Sequence, residues 1–287
     1  MVGRPIPLVP SRPVARPTPQ VLRPSVPPRV SGLKRALFIG INYVGTAYEL
    51  HGCINDAIEM QTQVNAFFPS CKDTRLITDT TVIKPTRANI LAAIDWLVTG
   101  LASGEHVMFH YSGHGGRVRD TNGDEVTGLD SCIYPVNNGT IETIIDDELR
   151  ARLAGKIPAG SKCFVVLDSC HSGSAVDLRC TWQATTPTSL TYTENTRYPK
   201  SAGTVVFLSG CQDTQTAMDT VNPEGRPCGA LTMALLKTWR DYGPAIKFKY
   251  LLWDVRNYLR QNGYSQTPQL TTGSYYDTNT VFDLGRA

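Results

Sequence analysis

What most constrains the fold is a set of short β-like runs that are apolar on both faces. HVMFHYSG (106–113), KCFVVLDSC (162–170) and TVVFLSGC (204–211) stay apolar along most of their length, whereas a strand with one solvated face alternates apolar and polar residues. Strands of that kind need cover on both sides, and the segments between them supply it. ALFIGINY (36–43) and RLIT (75–78) read as further strands, while DAIEMQTQVNAFF (56–68), TRANILAAIDWLVTGL (86–101), ALTMALLKTWRDYG (230–243) and KYLLWDVRNYLRQNG (249–263) carry helical periodicity. Ile90, Leu91, Ile94, Leu97, Val98 and Leu101 make one apolar stripe; Leu251, Leu252, Val255, Tyr258 and Leu259 make another. Asp56 stands where it could cap the first helix. This alternation predicts an α/β fold with a mostly parallel central sheet and helices on both faces.

With 287 residues, 41% hydrophobic and 18% charged, the chain can bury a sizeable core. Residues 1–34 stand apart: they hold nine of the 19 prolines, interleaved with Arg4, Arg12, Arg16, Arg23, Arg29 and Lys34. Such a segment forms neither helix nor core, so a disordered, partly polyproline arm is expected there, followed by one domain over 35–287. Pro7-x-x-Pro10 and Pro24-x-x-Pro27 fit an SH3-type ligand, although a solvated leader is the plainer reading. No apolar stretch approaches the ~18 residues of a membrane span, and no apolar secretory block follows the first residues, so a soluble, cytoplasmic protein is expected. A net charge of +3 is too small to argue for nucleic acid as a partner. The eight cysteines (53, 71, 132, 163, 170, 180, 211 and 228) form no C-x-x-C pair. Reduced thiols are therefore expected, in preference to a zinc site or a disulfide framework.

Two of the buried strands end in reactive residues. The first runs out into His114-Gly115-Gly116 and the second into Cys170-His171-Ser172-Gly173. In an open parallel sheet the ligand crevice lies at the C-terminal strand ends, so this histidine and cysteine can face one another. A thiol near pKa 8.5 is only a few per cent thiolate at neutral pH, and an adjacent imidazole can take its proton and return it to a leaving amine. Strand alternation sends Asp168 to the same side as Cys170, and Ser112 to that of His114, which places a carboxylate suited to a cationic group beside the nucleophile. A lone strand-end cysteine is ordinarily a small buried residue, the reading that fits Cys163 and Cys211. The Asp, His, Ser and Gly around Cys170 favour a nucleophile instead. His171 points elsewhere if the strand geometry persists, and His110, inside its strand, reads as a hydrogen-bonded core histidine. The absence of G-x-S-x-G argues against a serine hydrolase of the α/β-hydrolase type.

HYSGHGG (110–116), GLDSCIYPVN (128–137), IIDDELR (144–150) and DSCHSG (168–173), extended by GCINDA (52–57) and PTRANI (85–90), resemble in order and spacing the type I metacaspases, caspase-like cysteine peptidases of protists, fungi and plants. The resemblance covers roughly residues 35 to 285 and is specific as a set, though no single motif is. It implies a caspase-like α/β/α sandwich with His114 and Cys170 as catalytic dyad and backbone amides near Gly115 and Cys170 as oxyanion donors. It also implies cleavage of polypeptides after Arg or Lys, the basic side chain being held by Asp56, Ser112 and Asp168. Activation by Ca2+ instead of dimerisation, and hence a monomer, follows from the same likeness, with Asp130, Asp146, Asp147 and Asp177 at the matching ligand positions. A hard cation needs six to eight oxygens, which four carboxylates from separate loops supply in large part. Asp146 also reads as the N-cap of DDELRARL. DTNGDEVTGLDS (120–131) is no EF-hand, since its glycine stands fourth instead of sixth and no glutamate stands twelfth.

The short linker between DSCHSG and TVVFLSG suits type I over type II. The arm contains no cysteine for a zinc finger, and Phe38 is the one aromatic before Tyr43, so blockage of the site by an arm aromatic is not expected. Cys53 falls at a second cysteine seen in several members. Arg179, Arg197 and Lys200, after Cys170, are candidate sites of self-cleavage on adding calcium. Two rival readings remain: a legumain-like peptidase, marked by Asn preference and indifference to calcium, and a calcium-responsive scaffold of the same fold with little catalysis.

Overall fold

A computed structural model describes residues 32–71, 73–123, 125, 128–169, 176–187, 189–210, 219–222 and 224–285. Cys170, His171, Cys211 and the arm up to residue 31 lie outside the described residues.

Eight strands form the central sheet: β1 (Leu33–Gly40), β2 (Asp73–Thr78), β3 (His106–Ser112), β4 (Lys162–Asp168), β5 (Cys180–Thr186), β6 (Ser189–Glu194), β7 (Thr204–Ser209) and β8 (Gln269–Thr272). Their order is β6-β5-β8-β7-β4-β3-β1-β2. From β7 to β2 every pairing is parallel. β8 runs antiparallel to both β7 and β5, and β6 folds back on β5 as a hairpin at the sheet edge. The helices are α1 (Cys53–Phe67), α2 (Arg87–Val98), α3 (Asp146–Arg152), α4 (Ala230–Tyr242) and α5 (Phe248–Gln261).

Side chains alternate along the buried strands, so each strand feeds two cores. Phe38, Met108, Phe164 and Val206 pack with Ala57, Leu235 and Leu252 of α1, α4 and α5. Leu37, Phe109, Val165 and Phe207 pack with Ile94 and Leu149 of α2 and α3 on the opposite face. The result is the three-layer α/β/α sandwich expected from strands apolar on both faces. Register brings Ser112 of β3 opposite Asp168 of β4, and Ser209 of β7 opposite Leu167, so these strands end on one rim. A three-stranded ribbon, Gly115–Arg119, Leu129–Ile133 and Ile144–Ile145, continues from β3 at that rim. No helix among the described residues is long and apolar enough to cross a membrane.

Several local expectations are corrected. β1 starts at Leu33, within the segment assigned to the arm, and α1 starts at Cys53. The N-cap of α1 is Gly52, and Asp56 lies one turn inside the helix with its carboxylate bonded elsewhere. Asp146 is likewise the first helical residue of α3, the cap being Ile145. The N-cap of α2 is Thr86, whose hydroxyl accepts the N–H of Asn89 at 3.3 Å.

Gly40 ends β1 against the start of α1. A Cβ there would lie 2.2 Å from the Cys53 carbonyl oxygen and 2.9 Å from the Ala57 side chain. Gly40→Ala should therefore lower the stability by about 1–3 kcal/mol through overpacking; urea denaturation measures it, and an unchanged midpoint and slope would contradict the close approach.

Candidate active site

His114 sits in the short connection between β3 and the ribbon, and two tyrosines fix its peptide groups. The Tyr43 hydroxyl accepts the His114 N–H at 2.9 Å and donates to the Tyr134 carbonyl at 2.7 Å. The Tyr111 hydroxyl donates to the His114 carbonyl at 2.7 Å. Burial pushes both phenols well above their ordinary pKa, so they remain neutral hydroxyls. The imidazole stacks obliquely on the Tyr43 ring at 4.7 Å, and its Nε2 lies 2.8 Å from the Tyr48 carbonyl oxygen. A carbonyl only accepts, so Nε2 carries the hydrogen and Nδ1 is the ring nitrogen left to take a proton. Gly115 follows directly and opens the ribbon opposite Ile133.

Beneath the same rim two carboxylates come together. Asp56, buried on α1, accepts the Ser112 hydroxyl at 2.7 Å and the Gly229 N–H at 2.9 Å. Asp168, buried at the end of β4, accepts the Thr232 N–H of the first turn of α4 at 2.8 Å. Gly229 stands between the two: a Cβ there would lie 2.2 Å from Asp168 Oδ2 and 2.7 Å from Asp56 Oδ2. Both acids thus reach one point, from elements distant in sequence. His110 is buried and neutral, its pKa pushed down to about 3 by desolvation, and its Nε2 lies 3.1 Å from the Thr232 hydroxyl. It is the hydrogen-bonded core histidine expected.

A second acidic group lies at the far end of the ribbon. Oxygens of Glu125, Asp146 and Asp177 all lie within 4.8 Å of one another. Burial is the main cause that raises the Asp146 carboxyl to about 8 and Asp177 to about 9. Asp130 adds its charge to that felt by Asp146, and the Ser131 N–H donates to Asp146 at 2.6 Å. Asp177 has a left-handed backbone (φ 43°), and its Oδ1 finds no hydrogen-bond donor. Asp147 is placed differently, its carboxylate taking the Asn122 amide at 2.5 Å outside this trio. Oxygens that share one calcium at about 2.3–2.6 Å each lie within about 5 Å of each other, so the trio fits a hard divalent cation.

Glu125, Gly229 and the tyrosines at 43, 48 and 111 were not singled out in the sequence. Within DTNGDE nothing separates Glu125 from Asp120, yet Asp120 spends its oxygens on the N–H groups of Asn122, Gly123 and Glu125 and so shapes the turn. Tyr43→Phe would strand the His114 N–H and the Tyr134 carbonyl, and should lower stability by about 1–3 kcal/mol. Denaturant titration measures this, and a loss below experimental error would mean that the hydroxyl does not clamp the histidine.

Comparison with known proteins agrees with this geometry. Residues 34–179 match the metacaspase, peptidase C14 domain. The chain is 34% identical to Metacaspase-1 of Cryptococcus neoformans var. neoformans serotype D, over 88% of this chain and 65% of that protein. It is 34% identical to Metacaspase-1 of Schizosaccharomyces pombe over 88% and 70%, and 32% identical to Metacaspase-1A of Aspergillus fumigatus over 88% and 72%. It therefore spans about two thirds of the length of these curated relatives. A crystal structure of a Geobacter sulfurreducens protein superposes with a TM-score of 0.61 at 27% identity, covering 86% of this chain and 97% of that one. With a domain match over more than half its length and such relatives, this chain belongs to the metacaspase family, peptidase C14, a family of Cys-His cysteine peptidases.

Proposed function

We propose that the chain is a calcium-dependent cysteine endopeptidase of the type I group that cleaves polypeptides after Arg or Lys, acting as a cytoplasmic monomer. The observation that carries this reading is the meeting of Asp56 and Asp168 at Gly229, next to the strand ends that lead to His114 and Cys170. Two buried carboxylates at one point repel each other in a medium of low dielectric, and a guanidinium or ammonium entering between them relieves that repulsion.

In this mechanism the Cys170 thiol gives its proton to His114 Nδ1 as sulfur attacks the carbonyl carbon, forming a C–S bond. N–H groups near Gly115 and Cys170 receive the charge on the carbonyl oxygen. Collapse of the tetrahedral species breaks the C–N bond, and His114 returns the proton to the departing amine. Water, deprotonated by the same imidazole, then cleaves the thioester and restores the thiol. The Nε2–H donation to the Tyr48 carbonyl fixes the tautomer and orientation of the ring. Glu125, Asp146 and Asp177, with Asp130 beside them, would hold the calcium, which neutralises their mutual repulsion when bound. Asp177 follows Cys170 closely in the chain, so its position bears on the loop that carries the nucleophile. Asp147 is the remaining matched ligand and would join by releasing Asn122.

The three basic residues after Cys170 differ as self-cleavage sites. Arg179 bonds Glu194 at 2.5 Å and the Tyr198 carbonyl at 3.1 Å, whereas Arg197, in a turn, and Lys200, in an irregular segment, are both exposed. Self-processing is accordingly assigned to Arg197 or Lys200, to be read by intact mass after calcium addition. A cut after Arg179 alone would reverse the assignment.

Assay of matched Arg-, Lys-, Asn- and Asp-amide substrates with and without calcium tests the whole reading. Arg and Lys turnover should vanish with chelator and in Cys170→Ala, and Asp168→Asn should cost about 100-fold in kcat/KM, the scale of a broken buried charge pair. Asn preference without calcium dependence would identify a legumain-like enzyme. Failure of a peptidyl-arginine electrophile to label Cys170, with calcium still raising the melting temperature, would identify a scaffold. That calcium-induced rise should disappear in Asp177→Asn, since a ligand that binds only the folded state stabilises by about 2.7 kcal/mol at 100 times its Kd; an equal rise in the variant would remove Asp177 from the site.

A further inference from the structure

A second cleft, of about 300 Å3, opens between β5 and α5, lined among others by Trp253, Arg256, Arg260, Tyr264 and Gln266. Its chemistry is incomplete in two independent respects. Gln266 is 5% exposed, and neither the oxygen nor the nitrogen of its amide has a hydrogen-bond partner among the described residues. A buried amide left in that state costs free energy that native structures seldom forgo without a reason. Arg256 is half-buried, donates Nε to the Pro268 carbonyl at 2.7 Å, and has no carboxylate partner among the described residues. Burial accordingly lowers its pKa. Among the described residues the side chain of Arg260, exposed on the next turn of α5, bonds only that of Asn257, at 2.9 Å. Among the described residues the cleft therefore offers guanidinium donors with no anion, beside an amide that lacks both an acceptor and a donor.

Position adds a third element. β8 runs antiparallel to β7 with Gln269 opposite Ser209, so the 262–268 loop arrives at the rim where Ser112 and Asp168 end their strands. A polypeptide lying along that rim supplies what the cleft lacks. Its backbone presents a C=O and an N–H side by side, matching the two faces of a primary amide, and an Asp or Glu side chain matches the planar fork of an arginine. The basic arm of this chain cannot be the occupant, because residues 1–31 contain no Asp or Glu.

We infer that the cleft formed by Arg256, Arg260 and Gln266 is an exosite that binds an acidic peptide segment, separate from the carboxylate pair that receives the basic side chain. The inference relies on the peptidase reading only for the ligand being a polypeptide. Binding is measured directly, so its failure is distinguishable from failure of catalysis. Calorimetric titration of the full chain carrying Cys170→Ala would use an N-acetylated Asp/Glu-rich hexapeptide amide, its Asn/Gln counterpart, acetate and inorganic phosphate, all at one ionic strength. The acidic peptide should bind, the neutral one should bind at least about tenfold more weakly, and Arg256→Gln, Arg260→Gln and Gln266→Leu should each weaken the acidic peptide by about tenfold, the scale of one charge-assisted hydrogen bond. Arg260 is exposed, so its variant keeps the test valid if substitution of Arg256 impairs folding. Equal binding of the two peptides, no binding of the acidic peptide at millimolar concentration, or undiminished binding in the folded variants would overturn the proposal. Acetate or phosphate competing as tightly as the peptide would overturn the assignment to a polypeptide.

Discussion

Asp56 and Asp168 meeting at the Gly229 backbone is the constraint on which the rest of the site depends. Three elements must converge for it: α1 brings Asp56, β4 brings Asp168, and the segment leading into α4 brings a residue without a side chain. Buried carboxylates are costly unless donors surround them. Among the described residues the Gly229 N–H and the Ser112 hydroxyl donate to Asp56, and the Thr232 N–H donates to Asp168. Thr232 lies in the first turn of a 13-residue helix, where unsatisfied N–H groups and the helix dipole favour negative charge. The strand order is what allows this, because β3 and β4 are neighbours whose last paired residues are Ser112 and Asp168.

The ribbon beyond β3 joins the histidine to the acidic trio. At one end Gly115 pairs with Ile133, and His114 is clamped between Tyr43 and Tyr111. Towards the other end Val118 pairs with Asp130, Arg117 pairs with Ser131, and the Ser131 N–H donates to Asp146. The acidic trio and the imidazole are thus attached to one ribbon. Tyr198 adds a tie from the segment beyond β6, donating to Glu125 at 2.7 Å.

The legible parts of the fold are those where burial dictates composition. β3, β4 and β7 are buried along nearly their whole length, and their apolar runs show it. The hairpin of β5 and β6 carries no such run: CTWQATT and SLTYTE are rich in Thr, and β6 is largely exposed, so its pairing comes from edge hydrogen bonding. β8 is four residues long and buried between β5 and β7, a tertiary placement that QLTT does not announce. Ser112, His114 and Asp168 were visible because they sit at strand ends with chemistry in their neighbours. Gly229 and Tyr43 were not, since a glycine before a helix and a tyrosine after a strand are ordinary, and their importance arises from contacts across 173 and 71 positions. Asp56 shows the reverse error: its place near a helix start suggested capping, but tertiary donors claim the side chain.

The two acidic groups differ in how they are held. The pair at Gly229 is met by N–H and O–H donors, from Gly229 and Ser112 to Asp56 and from Thr232 to Asp168. In the trio, burial outweighs the few donors and raises Asp146 to about 8 and Asp177 to about 9, well above the ordinary carboxylate range. Between that ordinary range and pH 8–9 the unfolded chain releases these protons while the folded chain retains them, so the trio weakens the fold as pH rises. A divalent cation reverses the sign, because it binds the ionised form and removes the penalty that the buried charges otherwise carry. Ionisation of the trio and binding of a cation are therefore linked, each favouring the other.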